Sequence, residues 1–238
     1  MAAECLGGRA PSRYLSPMRS CRIPLGGLLA LSLLSAAAPA AAWPDTALGR
    51  VEALAALQSL NVELLTHDSA TATLEAWCAA HRLAPGAQVL ARRVKTDKPA
   101  GPEVRAALQV GPDEAVRYRR VQLACGDRVL SEADNWYVPA RLTPEMNRVL
   151  DGTDTPFGRA VAALNFRRRT TSAELLFKPL PEGWDVAPGL PAGKGGALAI
   201  PPFVLEHRAT LFDAAGVPFS AVVESYTDQV LGYDPPGD

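Results

Sequence analysis

The residues of this chain best suited to chemistry are arginines. Arg117, Arg119 and Arg120 fall within four positions of one another, in a stretch that runs on to Arg159. A guanidinium is a planar fork that donates two parallel, charge-assisted hydrogen bonds, so an enclosed arginine suits a carboxylate. Three further arginines, Arg167, Arg168 and Arg169, are consecutive. On a strand they alternate between faces, and without interleaved aromatics or a net basic charge they read as a solvated edge rather than a nucleic-acid surface. Glu224 stands in an alternating apolar run, where a surface position and a pocket position are both open. His67, His81 and His207 are scattered and no CxxC spacing occurs, so neither a metal site nor a cofactor is expected.

The elements that must position these residues are legible from period and punctuation. Val116, Tyr118 and Arg120 share one face of a strand, Gly126-Asp127 turns the chain, and residues 129–138 return it as a hairpin. Pro139 ends the second strand, and Thr143-Pro144-Glu145 starts a helix, with Thr as N-cap and Pro at the first helical position. Residues 47–60 have helical spacing; Asp68-Ser69 caps a second helix over 70–80, with Leu74, Trp77 and Cys78 on one side. A strand follows over 88–94, then a polar loop over 95–102, and 103–110 is too short to assign. Residues 159–164 continue as helix, 165–177 lead into a strand, and 178–202 form a Pro- and Gly-rich loop long enough to serve as a lid. Residues 204–212 and 217–226 make a last hairpin around the 213–216 turn. Strands joined by hairpins outnumber helices, which predicts an α+β domain: a mainly antiparallel β-sheet with helices packed on one side.

With 238 residues, 48% of them hydrophobic, the chain can bury one ordinary core, and a net charge of −1 gives no global attraction to nucleic acid or to an anionic membrane. Arg19 and Arg22 precede an apolar run, 25–34, and then small residues up to Trp43, with Ala40-x-Ala42 as a cleavage site. Residues 1–42 therefore read as a signal peptide, with 1–17 as an upstream extension if Met18 is the start, and 43–238 as a single exported, periplasmic or secreted, domain. The apolar run is well short of the ~20 residues of a spanning helix, so no membrane span is expected after processing. Cleavage would remove Cys5 and Cys21 and leave Cys78 and Cys125. An oxidising compartment opens a disulfide between them. Nothing in the sequence brings a helical Cys78 near a turn cysteine, and two buried free thiols are the reading adopted.

Several of these motifs occur together in one family. Arg120, Cys125, Gly126-Asp127, Val138-Pro139 and Thr155-Pro156-Phe157-Gly158-Arg159 keep the spacing of the chorismate lyases. The segments 64–71, LLTHDSAT, and 207–226, ending in Val223-Glu224-Ser225-Tyr226, extend the match. Over about 64–226 the chain resembles the chorismate lyase family and its superfamily, which includes the effector domains of GntR-type regulators. The resemblance implies a chorismate lyase-like fold and a pocket for a small aromatic or cyclohexadiene carboxylate. It assigns the carboxylate to Arg120, with Glu132 a partner across the hairpin, and leaves Arg119 a salt-bridged surface residue. It assigns main-chain donors to Phe157 and to Ala70, at a helix N-terminus, and proton transfer at the far end to Glu224. Arg159 would anchor the pocket from behind or cap its helix. Glu224 lies one residue later than the family pattern, so either the 213–218 turn absorbs an insertion or Glu224 points away. The function so implied is an exported, monomeric lyase that eliminates pyruvate from chorismate to give 4-hydroxybenzoate without metal or cofactor. The alternative is a non-catalytic periplasmic binder of a small aromatic carboxylate on the same fold.

Overall fold

Period-two alternation builds the centre of the molecule. In the computed structural model, which describes residues 42–235, β1 (Val89–Val94), β2 (Arg117–Cys125), β3 (Arg128–Tyr137), β4 (Arg167–Leu175), β5 (Phe203–Phe212) and β6 (Pro218–Thr227) form one sheet. Its order is β1-β2-β3-β6-β5-β4, and all five pairings are antiparallel. The two hairpins, β2–β3 and β5–β6, thus sit side by side, joined through β3 and β6. The signal-peptide reading, with its alternative start at Met18, falls on residues that lie, Ala42 apart, outside the described ones. No helix among the described residues is long and apolar enough to cross a membrane.

The alternation gives the sheet two distinct faces. Arg119, Val121 and Leu123 of β2 point the same way as Ala133 and Asn135 of β3 and as Val222 and Glu224 of β6, into one cleft. Two helices cover this inner face: α1 (Ala47–Thr66), which extends six residues beyond the sequence reading, and α2 (Ala70–Ala80). Leu57, Leu60, Leu64 and Leu74 are fully buried between helices and sheet, each contributing roughly 1.5–3 kcal/mol. At the other end of the inner face α4 (Pro144–Gly152) and α5 (Phe157–Ala160) pack Leu150 and Phe157 against Tyr137 and Phe219. The opposite, outer face carries Trp136 and Ala221 under α3 (Pro102–Leu108), the segment the sequence left unassigned.

Local chemistry fixes where the helices begin. The Ser69 hydroxyl accepts from the Ala72 N–H at 3.2 Å and the Thr143 hydroxyl from the Met146 N–H at 3.2 Å, each replacing a bond that a first-turn amide lacks. The first of these caps holds α2 at the rim of the cleft.

Two sequence expectations are corrected. Cys78 and Cys125 are joined in a disulfide, because α2 packs on the β1–β2 edge and brings their Cα atoms to 6.6 Å. The 178–202 segment is not a lid over the cleft. It is tied to the first of the described residues: Leu198 N–H donates to the Trp43 carbonyl at 2.7 Å, Asp45 N–H to that of Gly196 at 2.8 Å, and Pro44 bridges Ala197. Trp43 is itself buried, its indole N–H donating to the Leu231 carbonyl at 2.8 Å.

Candidate functional site

The cleft lies between the α2 N-terminus and the inner face. Asp68, Ser69, Ala70 and Thr71 form one wall, Phe157, Gly158 and Phe166 another, and Arg119, Asn135, Arg168, Val222 and Glu224 the floor. Gly158 allows the two helical walls to meet: a Cβ there would stand 3.2 Å from the Ser69 hydroxyl and 3.5 Å from that of Thr71. The enclosed space is ≈ 40 Å³, room for a water molecule or two.

Arg119 is the unusual member. It is 7% exposed, its Nη2 donates to the Thr155 carbonyl at 3.1 Å, and its Nε and Nη1 are buried with no partner. Burial, and after it the charge of Arg93, bring its pKa down to about 10. A buried donor without an acceptor loses its hydration with nothing in exchange, a cost of roughly 1–3 kcal/mol and more for a charged group. Ala70 and Thr71, the first residues of α2, line the same space, and helix geometry leaves their amides without intrahelical acceptors. Two kinds of unanswered donor thus share one cleft.

The floor is closed by a buried ion pair. Arg168 Nη2 donates to Glu224 Oε2 at 2.5 Å, with side-chain exposures of 4% and 8%. The Tyr226 hydroxyl donates to the same oxygen at 3.3 Å, and burial, then Glu224, push that phenol well above its ordinary pKa. Asp68 steadies the β4 end, accepting from the Arg168 main-chain N–H at 2.8 Å and from Arg167 Nη1 at 3.1 Å.

Of the residues predicted to share a pocket, Ala70, Phe157 and Glu224 do so. Glu224 faces inward despite its one-residue offset. Arg120 does not join them. It lies on the outer face, where Nη2 donates to Glu132 at 2.5 Å and Nη1 to Asp134 at 2.7 Å, and Asp134 also binds Lys98 and the Tyr118 hydroxyl. Glu132 is its partner, but on the surface. The face assigned to Arg119 and Arg120 is exchanged, since a register error of one residue moves a side chain through the sheet. Phe157 contributes its ring, stacked on Phe219 and tilted on Tyr137, and α5 has only four residues. Arg159 pairs with Glu75 of α2, which fits an anchoring role behind the wall.

The sequence reading missed Arg168, although the signal was present. In three consecutive strand arginines the middle one must face opposite to its neighbours, and here Arg167 is 82% exposed and Arg168 4%. His207 is fully buried beside Glu224, and nothing local in the sequence distinguishes it from His67 and His81.

Comparison with known proteins gives one relative by sequence. The chain is 60% identical over 196 residues, 82% of its own length and 83% of the other's, to the uncharacterized protein y4mC of Sinorhizobium fredii (strain NBRC 101917 / NGR234). No protein-family model matches it. Among solved structures it is similar to the effector domain of PhnF from Mycobacterium smegmatis, at 14% identity and TM-score 0.45, covering 67% of this chain and 88% of that one. Intact PhnF gives 14% and 0.46, with 72% and 69% covered. A GntR-family transcriptional regulator from Enterococcus faecalis V583 gives 13% and 0.36, with 62% and 99% covered.

Proposed function

This chain belongs to the same family as y4mC of Sinorhizobium fredii, and we propose that it binds a small carboxylate between Arg119 and the α2 N-terminus, as an exported protein. The observation that carries the reading is the Arg119 guanidinium, buried with Nε and Nη1 unpartnered. A carboxylate offers the two in-plane acceptors that this fork lacks. The amides and dipole of α2, an eleven-residue helix, favour the same anion.

Space supports binding over turnover. A cavity of roughly 150 Å³ is what takes up a benzene ring, several times the ≈ 40 Å³ enclosed here. An aromatic acid would need the walls of the cleft to yield by that difference, and a bulkier enolpyruvyl acid would need more. Export is supported by the Cys78–Cys125 disulfide, which persists in oxidising compartments, together with the leader-like residues before Trp43.

A second reading, a chorismate lyase-like enzyme, is favoured by one observation: Glu224 lines the same cleft as Arg119. Its carboxylate would take a proton as pyruvate leaves and the ring becomes 4-hydroxybenzoate.

Calorimetric titration of protein beginning at Trp43 with acetate, benzoate and 4-hydroxybenzoate tests the first reading. Binding is expected, weakened roughly 100-fold or more by Arg119→Met, which removes two charge-assisted hydrogen bonds. Failure of every acid to bind, or binding indifferent to Arg119, would sink it. Incubation with chorismate, followed by ultraviolet absorbance, separates the two: 4-hydroxybenzoate formation lost in Glu224→Gln would make the protein a lyase.

A further inference from the structure

The Arg168–Glu224 pair leaves the buried charge around the cleft unbalanced. Arg119 and Arg168 bring two positive charges and Glu224 one negative; Asp68, partly exposed at the rim, is paired with Arg167, so one buried positive charge is left over. Behind this cluster on β5 stands His207, 0% exposed. Its Nε2 meets Asn61 Oδ1 at 2.8 Å, and its Nδ1 is buried without a partner. Asn61 gives its amide nitrogen to Gln58, at 3.1 Å, so its oxygen faces the imidazole and the ring donates from Nε2. The bare lone pair is therefore on Nδ1.

His207 is paired directly with Glu224 across β5 and β6, a relation that sets their Cβ atoms about 5 Å apart. The polar and charged groups around it are Arg168 from β4, Glu224 and Tyr226 from β6, and Asn61 from α1. Burial first, then Arg168, holds the imidazole down to a pKa of about 4, with Glu224 acting in the opposite sense.

Building on the carboxylate reading of the cleft, we infer that its fixed charge is matched to a monocarboxylate, and that a dicarboxylate enters only with one proton, taken up at His207 Nδ1. One carboxylate on Arg119 brings the buried cluster to neutrality. A second must share Arg168 with Glu224. Arg168 then stands between two carboxylates, and the added negative charge works against both obstacles to protonation of the ring, its burial and the charge of Arg168. The proton comes from solvent to the free lone pair, and no hydrogen bond has to break to receive it. His207 touches no ligand; it acts through Arg168 and Glu224 as a positioning residue that sets which acids the site accepts.

The experiment is calorimetry near neutral pH with 4-hydroxybenzoate and with terephthalate, para-substituted rings carrying one and two carboxylates. Each titration is run in phosphate and in Tris, whose ionisation heats differ, so that protons exchanged on binding are counted. The expected count is near zero for the monocarboxylate and ~1 taken up for the dicarboxylate. In His207→Gln the uptake disappears and terephthalate weakens about tenfold, with the melting transition as the control for folding. Asn61→Asp keeps the bond to Nε2 and charges the ring in advance, so uptake falls while terephthalate binds more tightly. Terephthalate bound without a proton, unchanged uptake in His207→Gln, or no terephthalate binding where 4-hydroxybenzoate binds would overturn the inference and leave the carboxylate site standing. If neither acid binds, both fall together.

Discussion

Arg119 and Arg120 are neighbours in the chain with the same side chain, and the two faces of the sheet make different things of them. On the outer face Arg120 is a third exposed and paired: Glu132 and Asp134 each take one of its donors, and Lys98 and Tyr118 complete the network around Asp134. On the inner face Arg119 is buried with most of its fork unanswered. The outer network holds β2 to β3, with both Nη atoms of Arg120 engaged by carboxylates. The inner residue is kept at a cost to stability, and that cost is recovered only when something brings an acceptor into the cleft. Residue type names the chemistry available; burial and the count of partners decide whether it is a strut or a site.

The contrast can be broken or sharpened by experiment. The largest effect is expected from Arg168→Met, which strands Glu224 as a buried, unpaired charge. Loss of one partner of such a pair costs ~3–5 kcal/mol, read by urea unfolding, and Arg168→Met with Glu224→Leu should regain most of it. Next comes the disulfide: Cys78→Ala with Cys125→Ala opens a crosslink between residues 47 apart, at ~2–4 kcal/mol. Acid follows. His207 titrates at about 4 in the folded chain against 6.5 as its ordinary value. Between those values the unfolded chain holds a proton that the folded one lacks, so stability rises with pH across this window and is lost on acidification, by up to ~3 kcal/mol. Melting curves of His207→Gln against the native protein should differ in that slope and converge in shape above it.

The smallest effect bears most directly on the two arginines. Arg119→Met should not lower stability, and a gain of about 1 kcal/mol is expected, since a buried unpaired charge gives way to an apolar chain of similar volume. Arg120→Met should lower it by ~0.2–1 kcal/mol, the usual range for an ion pair in contact with solvent. Denaturant midpoints moving in opposite directions would sustain the comparison; a large loss in Arg119→Met would mean that its fork is answered by a group other than Thr155.

The fold was legible because its signals are local. Gly126-Asp127 and the 213–216 turn announced the hairpins, Thr143-Pro144 and Asp68-Ser69 the helix starts, and period two the strands. The site was less so. Ala70, Phe157 and Glu224 came from motif resemblance, but choosing between Arg119 and Arg120 needed a register, and the bulge between Leu123 and Ala124 shows how easily counting from a turn slips. Arg168, the disulfide and His207 depend on which strand lies beside which. The crosslink joins a helix to a hairpin 47 residues away, and the ion pair spans 56 residues from β4 to β6. No local pattern encodes these pairings.

The strand order also has a consequence for how the chain is made. β6, the strand of this sheet that is made last, does not lie at an edge; it is one of the two central strands, between β3 and β5. Until residues 218–227 exist, the β1–β2–β3 meander has an open flank at β3 and the β4–β5 pair has nothing to join. Trp43, ahead of α1, waits even longer, for the carbonyl of Leu231. The polypeptide must therefore extend past residue 227 before its sheet can close, and a nascent chain stalled before Pro218 should be more open to protease than the finished one.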